Sequence, residues 1–236
     1  GVKIALCTGR HLADARLFSE QLLAPADWAV TVNGALVSRL DGSETVLSAG
    51  LDRRDCRTIL EGCGRYASDP CFYTAERLYF GDGFNRFFDE LRRRGHQMVS
   101  RQWDGAVYVK EMADWEALLE EKGLCFSKAI LYHRDPSVVD GMTCALEATG
   151  RFELAPSVMY GGALKNVEVN RKGVHKGRGL ERLAAHLGFS MRQAGLSVAM
   201  GNAPAHIRAA ADACTADHTE NGVARAIERY LLEERI

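Results

Sequence analysis

The sequence predicts an α/β protein in which a parallel sheet is interrupted by an inserted α+β domain. The first observation is a strand, helix, strand succession within residues 1–34, the unit that builds parallel sheets. The second is the return of this pattern after Leu164. The third is that residues 43–158 alternate helices and strands over a length sufficient for their own core. The 236 residues allow between one and two domains.

The opening strand, helix, strand unit rests on apolar periodicity. An apolar run over residues 2–7 predicts a strand that is buried on both faces. Apolar residues then recur at steps of three and four over 11–23, which predicts a helix, and Pro25 follows as a stop signal. Residues 28–32 predict the second strand.

The inserted segment is predicted to run from residue 43 to about 158. Turn-prone residues at 41–43 and 160–162 are candidate hinges at its two ends. Within it, helical spacing alternates with β-branched and aromatic runs. The predicted helices cover 52–67, 84–94, 111–121 and 136–149, and the predicted strands cover 71–80, 97–103, 106–110, 129–133 and 151–156.

The α/β pattern resumes after Leu164. Val167 and Val169 alternate as in a strand, and residues 174–188 predict a helix that ends at Gly188. The rest of the chain is short elements: predicted strands over 197–200 and 213–215, a helix over 204–211, and a last helix after Gly222.

Composition and charge exclude several classes of protein. Thirty Lys and Arg against 31 Asp and Glu leave a formal charge of −1, which gives no electrostatic basis for nucleic-acid binding. No apolar stretch approaches the roughly 18 residues of a membrane span, and the first residues do not form a signal peptide. The seven cysteines are odd in number and contain no C-x-x-C, as expected for free thiols in the cytoplasm. The sequence is silent on oligomeric state.

Thr8-Gly9-Arg10 is the first turn that could carry chemistry. It follows a predicted parallel strand and precedes a helix, the edge at which open α/β sheets bind ligands. A hydroxyl and free N–H groups near a helix N-terminus suit an oxyanion or phosphate. The alternative is that Thr8 simply ends a strand and that Arg10 is solvated.

Two further positions are candidates. Lys176 stands at a predicted helix N-terminus, where a cation opposes the helix dipole, so contact with an anion would explain its placement. A surface lysine is the alternative. Asn33-Gly34 ends a strand, and Gly34 lets the backbone approach a ligand closely, although an ordinary turn explains the pair as well.

Other signals are weak or missing. The string 81–85 looks like a metal-binding loop, but it precedes a predicted helix and is better explained as a turn and N-cap. The seven histidines form no H-x-x-x-H or H-E-x-x-H pair. There is no G-x-S-x-G, which argues against an α/β-hydrolase, and no P-loop string.

The ordered strings of the chain resemble one family. They are IALCTGR (4–10), VNGA (32–35), VEVNRKGVHKGRGLERLAAHLG (167–188), LSVAMGNA (196–203) and AADACTADHTENGVARAI (210–227). In this order they resemble the Cof-like phosphatases of the haloacid dehalogenase (HAD) superfamily that carry a type IIB cap. The resemblance covers nearly the whole chain.

The resemblance implies an architecture and an activity. It implies a Rossmann-like core formed by residues 1–42 and 159–236, with residues 43–158 as a mobile cap. It also implies Mg²⁺-dependent hydrolysis of a small phosphorylated metabolite, such as a sugar phosphate, through an aspartyl-phosphate.

The resemblance also implies roles for individual residues. Thr8 matches the family residue that binds the phosphoryl oxygens, and Lys176 matches the lysine that steadies the nucleophile and the phosphate charge. The remaining matches are expected to bind substrate: Gly9, Arg10, Asn33 and Gly34.

Two family motifs are missing. The sequence contains no D-x-D, so the nucleophile and its acid/base partner are absent, and no G-D-x-x-N-D follows the lysine helix, so the expected metal-binding aspartate is absent too. Either the parent protein has these segments, or they are truly deleted and the protein only binds a phosphorylated metabolite. We favour the first, because loss of a central strand would leave backbone groups unpaired. A phosphomutase of the same superfamily is a third alternative.

Overall fold

The computed structural model describes residues 3–22, 25–95, 105–121, 123–159, 164–189, 196–203 and 205–232. The chain divides into two compact units, Gly1–Gly188 and Phe189–Ile236. Helices and strands alternate through both, which confirms the predicted α/β class. Across the described residues, no helix combines the length and the apolar character needed to cross a membrane.

A four-stranded sheet begins the first unit. Its strands follow in the order β1 to β4. β1 (Ala5–Cys7) pairs in parallel with β2 (Trp28–Thr31), and α1 (Leu12–Ser19) connects them. β3 (Leu36–Arg39) and β4 (Thr45–Ser48) extend the sheet in antiparallel fashion. The predicted strand, helix, strand unit is therefore confirmed, and it forms the parallel part of a mixed sheet.

The expected burial of the first strand is wrong. Ala5 and Cys7 are exposed in β1, whereas all four residues of β2 are buried. The reason is position, because β1 lies at the edge of this sheet and, among the strands that the structure describes, pairs with β2 alone. Nearby apolar side chains share this exposure, since Ile4 and Phe18 are each 37% exposed.

The first unit also contains a six-stranded sheet. Its order is β7-β6-β5-β8-β10-β9, and β6 and β7 are its parallel pair. The strands are β5 (Cys71–Tyr73), β6 (Leu78–Phe80), β7 (Ala106–Tyr108), β8 (Lys128–Tyr132), β9 (Phe152–Met159) and β10 (Leu164–Arg171).

Two sequence predictions differ from this sheet. The single strand predicted over 71–80 is a hairpin, because the chain reverses where the Thr74 N–H donates to the Arg77 carbonyl. The strand containing Val167 is present, but it pairs with β8 and β9 in the six-stranded sheet rather than resuming the first sheet. The strand predicted over 97–103 lies outside the described residues.

Four helices accompany the six-stranded sheet, as predicted. Their starts have recognisable caps: the Asp52 carboxylate accepts from the Asp55 N–H, and Asp135 precedes a proline at the first helical position. Gly81 caps the helix that the glycine-rich string was predicted to open. The helices are α2 (Arg53–Gly64), α3 (Asp82–Arg93), α4 (Met112–Glu120) and α5 (Pro136–Glu147).

Buried side chains join these helices to the sheet. Ile59 of α2 and Met142 of α5 are fully buried with Phe72, Leu131 and Val167 from the strands. Burying each such side chain contributes roughly 1.5–3 kcal/mol. The helices α2 and α5 thus share one hydrophobic core with the six-stranded sheet.

The helix that carries Lys176 packs on the four-stranded sheet. α6 (Lys176–His186) buries Leu183 against Trp28, Val30 and Val37. This packing fixes the start of α6 near the ends of β1 and β2.

The second unit contains short elements. β11 (Val198–Ala199) and β12 (Ala213–Cys214) pair in parallel, and α7 (Ala205–Ala210) connects them before α8 (Gly222–Ile227). The predicted strands and helices are confirmed in shortened form. Pro204, the first residue of the helix predicted over 204–211, lies outside the described residues, as do residues 190–195 after the lysine helix.

Candidate functional site

The turn over residues 8–10 follows β1 directly. The Thr8 N–H donates to the Val30 carbonyl at 2.8 Å, which continues the parallel ladder into the turn. The Thr8 hydroxyl oxygen accepts from the Arg10 N–H at 3.2 Å. The Arg10 guanidinium lies 3.5 Å from Asp14 and 4.8 Å over the ring of Phe18. The turn therefore has a fixed backbone, and the proton of the Thr8 hydroxyl is left to donate elsewhere.

The turn at Asn33-Gly34 lies beside the first. The Asn33 N–H donates to the Thr8 carbonyl at 3.3 Å. Val32, Asn33 and Gly34 have φ values of 51°, 61° and 96°, a left-handed run that suits Asn and Gly but strains a β-branched valine. Such strain persists only where surrounding contacts impose it, and Val32 is fully buried.

The start of α6 meets this second turn. A Cβ on Gly34 would collide with the carbonyl of His175, so only glycine permits this approach. Lys176, the first residue of α6, is exposed and forms no ion pair or hydrogen bond with the described residues. Its charge opposes the rise that burial causes in the pKa of Cys7, the residue before Thr8. The structure thus brings together all three sequence-predicted positions.

A buried lysine that the sequence analysis missed connects this cluster to the six-stranded sheet. The side chain of Lys128, on β8, is 3% exposed. Its Nζ donates to the Gly9 carbonyl at 2.8 Å and lies 3.1 Å from Glu168 Oε1. It also lies 4.9 Å over the ring of Tyr73. Burial lowers the pKa of Lys128 below its usual value, and the Glu168 carboxylate opposes that change.

The same network holds the second turn. The Asn33 amide donates to Glu168 Oε2 and, at 3.1 Å, to Asn170 Oδ1. The Asn170 amide donates at 3.1 Å to the carbonyls of Val32 and Ser127. β8 and β10 therefore fix both turns. We call Lys128, Glu168, Asn33 and Asn170 the buried junction network.

A sequence signal for part of this network existed. Asn166, Glu168 and Asn170 occupy every second position of β10, so polar residues share one face of an otherwise apolar strand. Alternation of this kind indicates that one face of the strand contacts polar groups rather than the apolar core. Lys128 offers no comparable signal, because it begins an apolar strand and its partners are distant in sequence.

The cluster suits an anion. A pocket of about 320 Å³ lies beside the first turn, lined by residues that include Cys7, Thr8 and Arg10. A helix N-terminus, a hydroxyl and two cationic side chains, Arg10 and Lys176, supply donors and positive charge of the kind that binds phosphate or carboxylate.

The described residues do not fit a magnesium site. Mg²⁺ prefers carboxylate and other oxygen ligands in octahedral geometry. The part of the chain that the structure describes contains no group of three or more His, Cys, Asp and Glu side chains that could hold a metal ion. Asp14, which lies beside the first turn, is paired with Arg10 and His11.

Comparisons with known proteins identify relatives along the chain. A family model described as haloacid dehalogenase-like hydrolase matches residues 1–227. The chain is 36% identical over 83 residues to 5-amino-6-(5-phospho-D-ribitylamino)uracil phosphatase YcsE of Bacillus subtilis strain 168. That match covers 28% of this chain and 33% of the relative.

Solved structures match over nearly the full chain. A haloacid dehalogenase-like hydrolase from B. subtilis superposes with a TM-score of 0.75 at 21% identity, covering 98% of this chain and 88% of the other. The subclass IIB sugar phosphatase BT4131 superposes with a TM-score of 0.69 at 19% identity, covering 98% and 86%. At these identities the likeness establishes the fold.

Proposed function

The chain belongs to the haloacid dehalogenase-like hydrolases, and we propose that it is a phosphatase that acts on a small phosphorylated metabolite. The family that the ordered sequence strings indicate is thereby confirmed. The cellular location in this proposal is the cytoplasm.

One observation carries the proposal: two turns and the start of a helix are clustered at one place. The 33–34 turn lies within hydrogen-bond distance of the 8–10 turn on one side and in close contact with the start of α6 on the other. In this arrangement Thr8 and Lys176 hold the transferred phosphoryl group, whose negative charge the lysine offsets. Gly9, Arg10, Asn33 and Gly34 contact the substrate around it.

The buried junction network has a positioning role in this proposal. Lys128 holds the Gly9 carbonyl, and Glu168 holds both Lys128 and Asn33. A Cβ on Gly9 would lie 2.7 Å from Asn33 Oδ1, so the two turns are packed as closely as glycine allows. The network therefore keeps the phosphate-binding groups at fixed spacing.

Hydrolysis through an aspartyl-phosphate requires carboxylates that these 236 residues do not supply as a D-x-D motif. Magnesium is the cofactor that the family resemblance implies, and its ligands belong to the same missing set.

The domain division is part of the proposal. Residues 1–42 and 159–236 form the core and residues 43–158 the cap, although β4 within that range belongs to the four-stranded sheet and β10 after it belongs to the six-stranded sheet. The cap selects the leaving group. The names of the relatives, a phosphatase of a phosphoribityl compound and a sugar phosphatase, support a small phosphorylated substrate.

Replacement of Lys176 tests the proposal. In the full-length protein, Lys176→Ala should lower kcat for p-nitrophenyl phosphate by about 10²–10³-fold, because it removes a charge aimed at the transferred group. Lys110→Ala is the matched control, since Lys110 is 72% exposed and pairs with its neighbour Glu111. Equal turnover in the Lys176 and Lys110 variants contradicts the assigned role.

A second function is favoured by the missing carboxylates. A homologue that binds a phosphorylated metabolite without hydrolysing it would keep Thr8 and Lys176 and need no nucleophile. The intact mass of the natural protein discriminates the two. A mass close to 26.0 kDa supports the binding protein, and a mass several kDa larger supports the enzyme.

A further inference from the structure

A pocket of about 240 Å³ lies where the chain crosses between the two sheets. Leu47 lines it from β4, and Ala49 lines it from the connection that leads from β4 to α2. Gly173 and Val174 line it from the connection that leads from β10 to α6. Gly34 completes this wall, and neither Thr8 nor Lys176 is among the lining residues. We call this cavity the junction pocket.

The junction pocket is surrounded by positive charge. Its lining includes four cationic side chains: Arg171, Lys172, Arg178 and Arg182. Two of them have acidic partners, since Arg171 lies 3.8 Å from Asp52 and Lys172 lies 3.6 Å from Glu153. Arg178 and Arg182 form no ion pair with any residue that the structure describes. Within the described ranges, two positive charges of the pocket therefore have no counter-charge.

The stability of α6 does not explain these two arginines. Arg178 lies in the first turn, which contains no acidic residue, so its charge opposes the helix dipole. Arg182 follows four residues later on the same face, where like charges repel by a few tenths of a kcal/mol. Both terms disfavour the helix, whereas an anion between the guanidinium groups would reverse both.

We propose that the junction pocket is a second anion site that binds a phosphate group, either inorganic phosphate or the phosphate of a small monoester. A phosphate group carries between about one and two negative charges at pH 7, which two arginines without acidic partners among the described residues can offset. The arginine fork donates two parallel hydrogen bonds to such oxygens. The pocket is smaller than the roughly 300–1,000 Å³ of drug-sized sites, so the ligand is compact.

A bound phosphate has a structural route to the candidate active site. It contacts both connections between the sheets, and Val174 is two residues before Lys176. Gly34 lines the junction pocket and also contacts the start of α6. Occupancy would therefore hold the two connections at one spacing and bias the position of Lys176. The binding claim does not depend on whether the protein is a phosphatase.

Residue-resolved titration tests the proposal. In the ¹⁵N-labelled full chain, inorganic phosphate should shift the backbone amide signals of Gly173 and Val174 in a saturable way. Arg178→Gln/Arg182→Gln should weaken that binding by about tenfold or more, because two charge-assisted contacts are lost. Arg53→Gln/Arg57→Gln should leave it unchanged, since those arginines have the same spacing but are paired with Glu120 and Glu116 on another face.

The outcomes separate the possibilities. Absence of saturable shifts at Gly173 and Val174 in the wild-type chain overturns the site without recourse to any variant. Shifts that persist in Arg178→Gln/Arg182→Gln, with a thermal transition like that of the wild type, overturn the assignment to the arginines. Titration with glycerol 3-phosphate distinguishes a monoester ligand from inorganic phosphate. If glycerol 3-phosphate binds more tightly than inorganic phosphate does, the ligand is a monoester. Turnover of the Lys176 variant reports on the proposed function separately.

Discussion

Two groups of cationic side chains lie on either side of the connection from β10 to α6, and they differ in whether they have acidic partners. In the buried junction network, Lys128 is almost fully enclosed and has a carboxylate, a carbonyl and an aromatic ring as partners. In the junction pocket, Arg178 and Arg182 line a cavity without acidic partners among the described residues. The comparison separates two uses of positive charge, because a satisfied buried cation fixes structure and an unpaired surface cation is available to a ligand.

The energetic consequences should therefore have opposite signs. Removal of one partner from a buried pair leaves the other without its counter-charge, at a cost of about 3–5 kcal/mol when burial is complete. Removal of repelling surface charges relieves a small unfavourable energy. Substitutions at Lys128, at Asn33 and at the pair Arg178 and Arg182 test this contrast, in order of decreasing effect.

Lys128→Met should have the largest effect. We expect it to lower the free energy of unfolding by about 3 kcal/mol, because Glu168 loses its cation and the Gly9 carbonyl loses a donor. Urea unfolding at pH 7 measures this change. Lys165→Met is the control, since Lys165 pairs with the 59% exposed Asp140 and should lose less than about 1 kcal/mol. Equal losses in the two variants would show that burial of Lys128 has no special weight.

Asn33 should have an intermediate effect that separates conformation from hydrogen bonding. Asn33→Gly keeps access to the left-handed backbone but loses two side-chain hydrogen bonds, so we expect a loss of about 1–2 kcal/mol. Asn33→Ala should cost about 1 kcal/mol more, because alanine disfavours positive φ.

Asn221 provides the matched control for this pair. Asn221 is also left-handed, with φ 57°, but its side chain makes no capping hydrogen bond. Asn221→Gly should therefore change the free energy of unfolding by less than about 0.5 kcal/mol. If Asn221→Gly lowers the free energy of unfolding as much as Asn33→Gly does, the side-chain hydrogen bonds of Asn33 do not stabilise the protein.

Arg178→Gln/Arg182→Gln should have the smallest effect, and of opposite sign. Without added anion we expect the free energy of unfolding to rise by about 0.5 kcal/mol, because the substitution removes like-charge repulsion and an unfavourable helix-dipole interaction. Thermal and urea unfolding in a phosphate-free buffer of low ionic strength measure it. A loss of stability in that buffer would mean that the two arginines already have partners and would contradict the unpaired charge.

The sequence predicts the individual helices and strands well, but it predicts poorly which strands pair with one another. The apolar spacing of 11–23 and the strand-like run of 28–32 predict α1 and β2 because each signal is local. The pairing of β10 with β8 depends on residues far apart in sequence, so alternation at Val167 predicts a strand but not its neighbours.

The candidate site shows the same division. The sequence predicts the turns at Thr8 and Asn33 and the helix start at Lys176. It can do so because the residue types that form these features are neighbours along the chain. Lys128 is not, because its function depends on a carbonyl 119 positions away. The sequence also does not predict the exposure of β1, because a strand's position at the edge of a sheet depends on which other strands pair with it.

Phosphorus NMR of the full-length protein with a hexose phosphate tests the central claim most directly, because it follows the phosphoryl group itself. A phosphatase converts the ester signal into inorganic phosphate, and the Lys176→Ala variant should do so far more slowly. An ester signal that persists unchanged, or one that migrates to another position on the sugar, would contradict hydrolysis.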